Sequence, residues 1–300
     1  MLQRLLLSFL ILFLVVSCDN QSIEVSFSQT DCKKNWSLCP LFPNNTRISM
    51  PTEPVKVAIL DSGIDNSHPL LKEKIVKSFD ARRETNITKD KFGHGTAIAG
   101  IIGASSNKQT IQGISPNVEI YDVKVLNDKG GGEIKDVVNG IEWSIKQNVD
   151  ILNLSFGFQK DDPTLKQAID YAVDNNIIVV AAAGNTLGFS ADYPAKYKNV
   201  ISVSSVNKQM ERDKFAAKGK IDFVAPGVDI PVLTPTKKII TVNGTSFSAA
   251  YVSGIIANIL AEKPNVQNFD AVLTELKTSS KDLGEKGLDN EYGNGLVQFK

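Results

Sequence analysis

The run Val55-Lys56-Val57-Ala58-Ile59-Leu60-Asp61 begins the part of the chain that decides the fold. Its apolar residues are nearly continuous, as in a strand that is buried on both faces of a parallel sheet. Similar short runs rich in Val and Ile occur further along, at residues 118–126, 150–154, 177–182 and 200–206. These five runs predict the strands of a mainly parallel central sheet.

Helix-length segments separate the predicted strands. Residues 134–147 carry apolar side chains at helical spacing, and Pro163–Asp174 forms a second such segment, followed by Asn175 and Asn176. Alternating strands and helices predict an α/β fold in three layers, α/β/α, with helices on both faces of the sheet. Ligands bind such sheets beyond the carboxyl ends of the strands. Asp61 ends the first strand and therefore marks the expected site.

A candidate nucleophile lies in Gly244-Thr245-Ser246-Phe247-Ser248-Ala249-Ala250. A serine hydroxyl attacks poorly unless a base takes its proton and a carboxylate orients that base. The small residues after Ser246 predict a tightly packed, buried helix that begins at this serine. A helix N-terminus presents free N–H groups and a positive dipole end, and both favour a developing oxyanion.

The chain contains two histidines, and His94 is the better candidate for the base. His94 lies between two glycines and precedes residues 96–102, which predict a helix that begins at the site. His68 lies in the turn-forming segment Asp65-Asn66-Ser67-His68-Pro69. Asp61 is the candidate acid, although an Asp-Ser-Gly sequence is also common turn chemistry and Asp65 is a rival carboxylate.

Together these motifs, in the chain order Asp, His, Ser, resemble the subtilase family of serine proteases. The resemblance implies a subtilisin-like fold with Asp61, His94 and Ser246 as the catalytic triad. It selects Asp61 over Asp65 and assigns His68 a structural role. The family pattern usually continues with Met-Ala and later Pro-His after the nucleophile, whereas this chain has Phe247-Ser248 and Ala250-Tyr251. The departures affect local packing and leave the nucleophile in place.

The resemblance also implies further site residues. Asn185, in Ala181-Ala182-Ala183-Gly184-Asn185, would donate its side-chain amide to the oxyanion, although Gly-Asn after a strand is also an ordinary turn. Two segments match the strands that pair with a bound peptide: Gly130, Gly131 and Gly132 on one side, and Ser155, Phe156 and Gly157 on the other. The alternative for the three glycines is a flexible loop.

Asp192, directly before Tyr193, stands at the position that resembles the floor of the first specificity pocket of subtilases. A carboxylate there would pair with Arg or Lys immediately before the scissile bond. The alternative is an exposed loop aspartate. Three residues further back along the substrate, an apolar pocket would be lined by Ile134, Val137 and Phe156.

The N-terminus resembles a bacterial lipoprotein signal. Arg4 precedes residues 5–16, which are apolar except for Ser8 and too few to span a bilayer as a helix. Val15-Val16-Ser17-Cys18 resembles a lipobox, in which Cys18 is lipidated; the alternative is a plain signal peptide. The expected organisation is a signal peptide at 1–17, a tether or N-terminal arm at 18–52 and a subtilisin-like peptidase domain at 53–300.

Outside the cytosol, Cys32 and Cys39 are a plausible disulfide pair, and the alternative is two unpaired thiols. We predict no cofactor and no metal. Asn107 matches a ligand of the family's calcium site, but Leu70 replaces a carboxylate there, which leaves calcium weakly supported.

The net charge of the chain indicates which classes of partner it could bind. Thirty-three basic and thirty-three acidic residues cancel, so nothing indicates a nucleic-acid partner. We expect a monomer that binds a peptide or protein substrate and contacts the membrane through a lipid anchor. The expected function is an extracytoplasmic serine endopeptidase that cuts after Arg or Lys, such as a lantibiotic leader peptidase. The alternatives are a general extracellular protease and a non-catalytic, peptide-binding lipoprotein.

Overall fold

The computed structural model describes residues 25–43, 47–48, 53–105 and 112–300. The predicted signal peptide, Cys18 and Asn107 lie outside these residues. The strands are β1 (Val25–Ser26), β2 (Arg47–Ile48), β3 (Val55–Asp61), β4 (Ile75–Asp80), β5 (Val118–Lys124), β6 (Ile151–Leu154), β7 (Ile178–Ala182), β8 (Ile201–Val206), β9 (Phe223–Pro226), β10 (Ile230–Leu233) and β11 (Ile239–Val242). The helices are α1 (Gln29–Lys34), α2 (Leu38–Leu41), α3 (His94–Gly103), α4 (Ile134–Lys146), α5 (Pro163–Asp174), α6 (Thr245–Glu262) and α7 (Phe269–Ser279).

A parallel sheet of seven strands forms the centre, in the order β4-β5-β3-β6-β7-β8-β9. The five predicted strands are confirmed, with small differences at their ends. β5 ends at Lys124, two residues before the predicted end, and the N–H groups of Val125 and Leu126 both donate to the carbonyl oxygen of Asp61, the last residue of β3. The register pairs Asp61 with Lys124, so the carboxyl ends of β3 and β5 lie side by side.

Helices cover both faces of the sheet, which confirms the three-layer α/β/α fold. Alternate residues of β3 face opposite sides: Val57 and Ile59 join one apolar cluster, and Ala58 and Leu60 join the other. Helices α3, α6 and α7 supply the first cluster, and α4 and α5 supply the second.

Several elements are not among the predicted ones, namely β4, β9, the β10–β11 hairpin and α7. β4 lies at the edge of the sheet, and its residues Val76 and Lys77 are exposed. An edge strand with one wet side lacks the continuous apolar run by which buried strands are identified. β9 at the other edge has only four residues, Phe223–Pro226, too few for a distinct pattern.

Residues 25–43, which we term the arm, lie against the first apolar cluster. Four of its apolar side chains are buried there: Phe27, Leu38, Leu41 and Phe42. Cys32 and Cys39 form a disulfide, so the alternative of two unpaired thiols is wrong. In the described ranges, no helix has the length and apolar character that crossing a bilayer requires.

Candidate active site

Asp61 and His94 form the centre of the site. Asp61 ends β3 and is buried, and His94 is the first residue of α3. The His94 Nδ1 atom lies 2.8 and 2.9 Å from the two carboxylate oxygens of Asp61. With a proton on Nδ1 donated to the carboxylate, the other ring nitrogen, Nε2, is left with a lone pair. The pair therefore holds the imidazole in the tautomer that a general base requires.

The electrostatic surroundings favour a proton on His94. Burial disfavours the imidazolium ion and lowers the pKa of His94, but the charge of Asp61, its hydrogen bond and the charge of Asp90 outweigh burial. The pKa of His94 is therefore raised above its ordinary value. Such a base takes up a proton readily and is poised to hold it on the way to a leaving group.

Asp90 links the loop after Asp61 to the start of α3. Its buried Oδ1 atom accepts hydrogen bonds from Ser62 Oγ (2.8 Å) and Gly93 N (2.7 Å). Its Oδ2 atom accepts from Thr96 N (2.9 Å) and Thr96 Oγ1 (2.6 Å). Asp90 is not among the predicted site residues. The available signal is its position just before a helix N-terminus, where a carboxylate satisfies free N–H groups.

Close backbone packing requires the glycine after His94. A Cβ atom on Gly95 would lie 2.1 Å from the carbonyl oxygen of Gly63, well inside contact distance. Gly95 N also donates to Ser62 Oγ (3.0 Å). The first turn of α3 therefore lies directly on the loop that follows Asp61, which keeps acid and base in register.

Ser246 lies in the first turn of α6. Its Oγ atom donates to the carbonyl oxygen of Ser155 (2.8 Å), and Ser155 Oγ donates to the carbonyl oxygen of Ser246 (3.0 Å). The ring of the next residue, Phe247, lies 5.6 Å from the His94 ring, centroid to centroid. The residue after the predicted nucleophile therefore lies beside the His94 ring, while the Ser246 hydroxyl is hydrogen-bonded to the Ser155 carbonyl. As a nucleophile, Ser246 would have to release this hydrogen bond before its hydroxyl could give its proton to His94.

Asn185 lies beside the N-terminus of the same helix. Its Oδ1 atom accepts a hydrogen bond from Thr245 N (3.2 Å), and Thr245 Oγ1 accepts from Gly184 N (3.1 Å). The amide oxygen of Asn185 can only accept, and here it accepts from Thr245 N. The NH₂ group is therefore the part of Asn185 that can donate to a ligand. Gly244, which precedes the helix, has a φ of 147°, and a Cβ there would lie 3.2 Å from Asn185 Nδ2.

Asp192 lies between two glycine backbones, with Gly157 on one side and Gly184 on the other. A Cβ on Gly157 would lie 2.5 Å from Asp192 Cβ, and a Cβ on Gly184 would lie 2.5 Å from Asp192 Oδ2. Burial raises the pKa of Asp192, and the charge of Lys196 partly opposes this. The carboxyl group is therefore half-buried between the two segments and is not a freely exposed loop aspartate.

The three glycines form an ordered turn. Asn127 N donates to the carbonyl oxygen of Gly131 (2.7 Å), and Asn127 Oδ1 accepts from Gly131 N (3.1 Å). Gly130 packs under the Phe92 ring, where a Cβ would lie 2.8 Å from a ring carbon. Gly132 forms a β-bridge with Leu126. The predicted apolar lining residues Ile134, Val137 and Phe156 belong to one cluster.

His68 lies apart from this arrangement and is buried in a turn. Its Nδ1 atom accepts a hydrogen bond from Leu70 N (3.2 Å). Burial lowers the pKa of His68, with Asp65 raising it and Lys237 lowering it further. Asp65 accepts from Ser67 N (3.0 Å) and Ser67 Oγ (2.7 Å), so its carboxylate serves the same turn.

Of the two residues named for the calcium position that the resemblance suggests, the structure describes Leu70, whereas Asn107 lies outside the described residues. The Leu70 side chain packs against the first apolar cluster and supplies no oxygen ligand. Within the described ranges, no group of three or more His, Cys, Asp or Glu side chains is placed to hold a metal ion.

Comparison with known proteins places this geometry in a family. A model described as the subtilase family matches residues 52–295. Subtilisin amylosacchariticus from Bacillus subtilis subsp. amylosacchariticus is 40% identical over 251 residues, which cover 82% of this chain and 65% of that protein. Subtilisin from Bacillus pumilus is 40% identical over 252 residues, covering 82% of this chain and 90% of that protein.

A more distant relative aligns over a longer part of the chain. The minor extracellular protease Epr from Bacillus subtilis (strain 168) is 33% identical over 290 residues, which are 95% of this chain and 44% of that protein. The chain thus spans about two thirds of the first of these relatives, at 65%, and less than half of Epr.

Proposed function

The chain belongs to the subtilase family, and we propose that it is a serine endopeptidase that hydrolyses peptide bonds with Asp61, His94 and Ser246. The single observation that carries the proposal is the contact between His94 Nδ1 and both oxygens of Asp61, 2.8 and 2.9 Å, beside helix α6, which carries Ser246 in its first turn. This arrangement supplies a nucleophile, a base and a group that orients the base.

The proposed reaction begins when His94 Nε2 takes the proton of Ser246 as Oγ attacks the scissile carbonyl carbon. Asp61 stays ionised and stabilises the imidazolium. The tetrahedral intermediate collapses when His94 returns its proton to the leaving amine, and the C–N bond breaks. Water then attacks the acyl-enzyme with His94 again as base, which releases the carboxylate product and restores Ser246.

The oxyanion would be stabilised at the N-terminus of α6. Thr245 N already donates to Asn185 Oδ1 and Phe247 N to the Gly244 carbonyl, so the backbone N–H of Ser246 and the Asn185 NH₂ group would donate to the negative oxygen. Loss of the equivalent donor in subtilisin costs about 2.7–4 kcal/mol of transition-state stabilisation. The hydrogen bond from Thr245 N to Asn185 Oδ1 supports this role, since it orients the amide beforehand.

We propose that Asp192 directs cleavage to bonds that follow Arg or Lys. Its position between Gly157 and Gly184 supports this role, because a carboxylate at the base of two converging backbones can pair with a cation entering between them. The substrate backbone would lie along Gly130–Gly132 and Ser155–Gly157 by main-chain hydrogen bonding.

The proposed location is the outer face of the cell membrane, with lipidated Cys18 as the anchor. The motif Val15-Val16-Ser17-Cys18 supports it. A processing role on one exported precursor, such as a lantibiotic leader, follows by analogy from the anchor and the acidic pocket. A general extracellular protease is the second candidate, and the similarity to the minor extracellular protease Epr favours it.

The test is hydrolysis of fluorogenic peptides that differ only in the residue before the scissile bond. Arg and its neutral, nearly isosteric analogue citrulline form the sharpest pair. We expect the Arg peptide to be cleaved with kcat/KM at least about tenfold higher, since a buried charged pair is worth more than a neutral contact. Equal rates would contradict the specificity, and no hydrolysis of any peptide would contradict the activity. A Ser246→Ala variant is the control for contaminating protease.

A further inference from the structure

Three buried side chains form a closed ring of hydrogen bonds between the arm and helix α6. The Tyr251 hydroxyl oxygen lies 3.1 Å from Asn35 Nδ2 and 2.5 Å from Ser37 Oγ. Ser37 Oγ lies 2.5 Å from Asn35 Oδ1. All three contacts are satisfied when Asn35 donates to Tyr251, Tyr251 donates to Ser37 and Ser37 donates to Asn35. Each residue is buried, so a broken ring would leave polar atoms without water to replace the lost partner.

The arm presents Asn35 and Ser37 from a closed loop. Both residues lie inside the loop that the Cys32–Cys39 disulfide closes. The residue between them, Trp36, donates from Nε1 to the carbonyl oxygen of Val228 (3.1 Å), just before β10. Three consecutive arm residues therefore contact both α6 and the segment that leads into the β10–β11 hairpin.

Helix α6 is buried along most of its length and is held by polar side chains at several points. Ser248 Oγ donates to the carbonyl oxygen of Ala225 (3.0 Å). Asn258 Nδ2 donates to the carbonyl oxygen of Ile114 (3.0 Å). These partners lie within residues 53–300, whereas the partners of Tyr251 lie in the arm. Tyr251 is also where the chain departs from the His of the family pattern, and its hydroxyl is the group that the arm binds.

We propose that the arm positions Ser246, through the ring of Asn35, Ser37 and Tyr251. Tyr251 follows Ser246 by five residues, about 7.5 Å along one continuous helix. A displacement of the helix at Tyr251 therefore moves Ser246 against His94, which the arm does not hold. Asn35, Ser37 and Tyr251 are positioning residues in this account. The inference rests on the proposed function, because it assigns Ser246 the role of nucleophile.

Tyr251→Phe in the full chain tests the proposal, since it keeps the aromatic packing and removes one hydroxyl. We expect kcat for a fluorogenic Arg peptide to fall by about fivefold with KM unchanged, the effect of one lost buried hydrogen bond on alignment. We also expect faster amide hydrogen exchange at residues 247–250. Ser37→Ala breaks the same ring from the arm side, and the double variant should lose no more than the larger single loss.

Asn258→Ala is the matched control, because it removes a buried anchor of the same helix at a greater distance from Ser246. It should lower the Tm while kcat stays within about twofold of the wild type. A folded Tyr251→Phe protein with wild-type kcat and wild-type exchange would overturn the proposal. If Tyr251→Phe does not fold, Ser37→Ala decides by the same two measurements. If the wild type hydrolyses no peptide, the proposed function fails, and amide exchange at residues 247–250 still tests the contact of the arm with the helix.

Discussion

At the residue scale, Asp90 has two separable effects on His94. Its carboxylate accepts four hydrogen bonds that hold the start of α3, and its negative charge contributes to the raised pKa of His94. The base must be neutral to act, so activity rises as pH increases through the pKa of His94. Removing the charge lowers that pKa and moves this acidic limb to lower pH.

We therefore predict that Asp90→Asn shifts the acidic limb of the kcat/KM profile to lower pH and reduces the maximal kcat/KM by about tenfold, as donors lose their acceptor. The measurement is a pH–rate profile with one peptide. Asp162→Asn, which alters the N-cap of the distant helix α5, is the control and should leave the limb in place. A limb that stays at the wild-type pH in Asp90→Asn would show that the charge does not reach His94.

The proposed preference for Arg before the scissile bond depends on the charge of Asp192. Asp192→Asn keeps the size of the side chain and removes its charge, so it should reduce the preference for Arg over citrulline to near unity. The loss in kcat/KM for the Arg peptide should be about ten- to a hundredfold, with little change for citrulline. Lys196→Gln, on the same turn, should retain the preference. An unchanged Arg preference in Asp192→Asn would mean that another group binds the cation.

At the scale of single elements, β5 carries a carboxyl group in the interior. Burial raises the pKa of Asp122 from 3.8 to about 7, against a hydrogen bond from Thr88 that lowers it. Because the folded-state pKa is the higher one, the unfolded chain releases this proton first as pH rises. Asp122 therefore makes the free energy of unfolding fall between about pH 4 and pH 7.

Asp122→Asn should flatten that fall by an amount on the order of 2 kcal/mol. Denaturant unfolding at a series of pH values measures it, in a Ser246→Ala background to prevent self-digestion. Glu142→Gln, at an exposed carboxylate on α4, should leave the pH dependence unchanged. An equally steep fall in Asp122→Asn would assign the pH dependence to other groups.

A comparison of the predicted with the observed strands and helices shows which structural features can be recognised in the sequence. Buried strands such as β3 were predictable because their apolar runs are continuous, and Pro163–Asp174 forms a helix at its predicted ends. The edge strand β4 was not predictable, because one side of it is exposed to solvent and it therefore lacks a continuous apolar run. Asp61 and His94 were predictable from local motifs, whereas Asp90 acts through contacts with Ser62 that depend on the folding of two loops together.

At the scale of the whole molecule, the arm follows the predicted anchor Cys18 in the sequence and contacts helix α6. Gln298 Nε2 donates to the carbonyl oxygen of Pro40 (2.8 Å), and Phe299 N donates to that of Leu41 (2.8 Å), so the arm also contacts the C-terminal segment. The polar residues and the prolines of residues 18–52 predicted a tether or an arm. Composition alone could not reveal these long-range contacts.

The proposed lipidation at Cys18 would anchor the whole protein to the membrane. Mass spectrometry of the mature N-terminus should find a cysteine that carries a diacylglyceryl group, and the protein should fractionate with membranes. Cys18→Ser should release it to the soluble fraction with its peptidase activity retained. An unmodified Cys18 in the mature protein would exclude this anchor.

In the proposed reaction, Ser246 is a nucleophile activated by the Asp61–His94 pair. A serine-reactive phosphonate, followed by mass spectrometry of the digested protein, tests it most directly. We expect one adduct, on Ser246, with labelling slowed by orders of magnitude in His94→Ala and absent in Ser246→Ala. A wild-type protein that stays unlabelled, or an adduct on another residue, would contradict it.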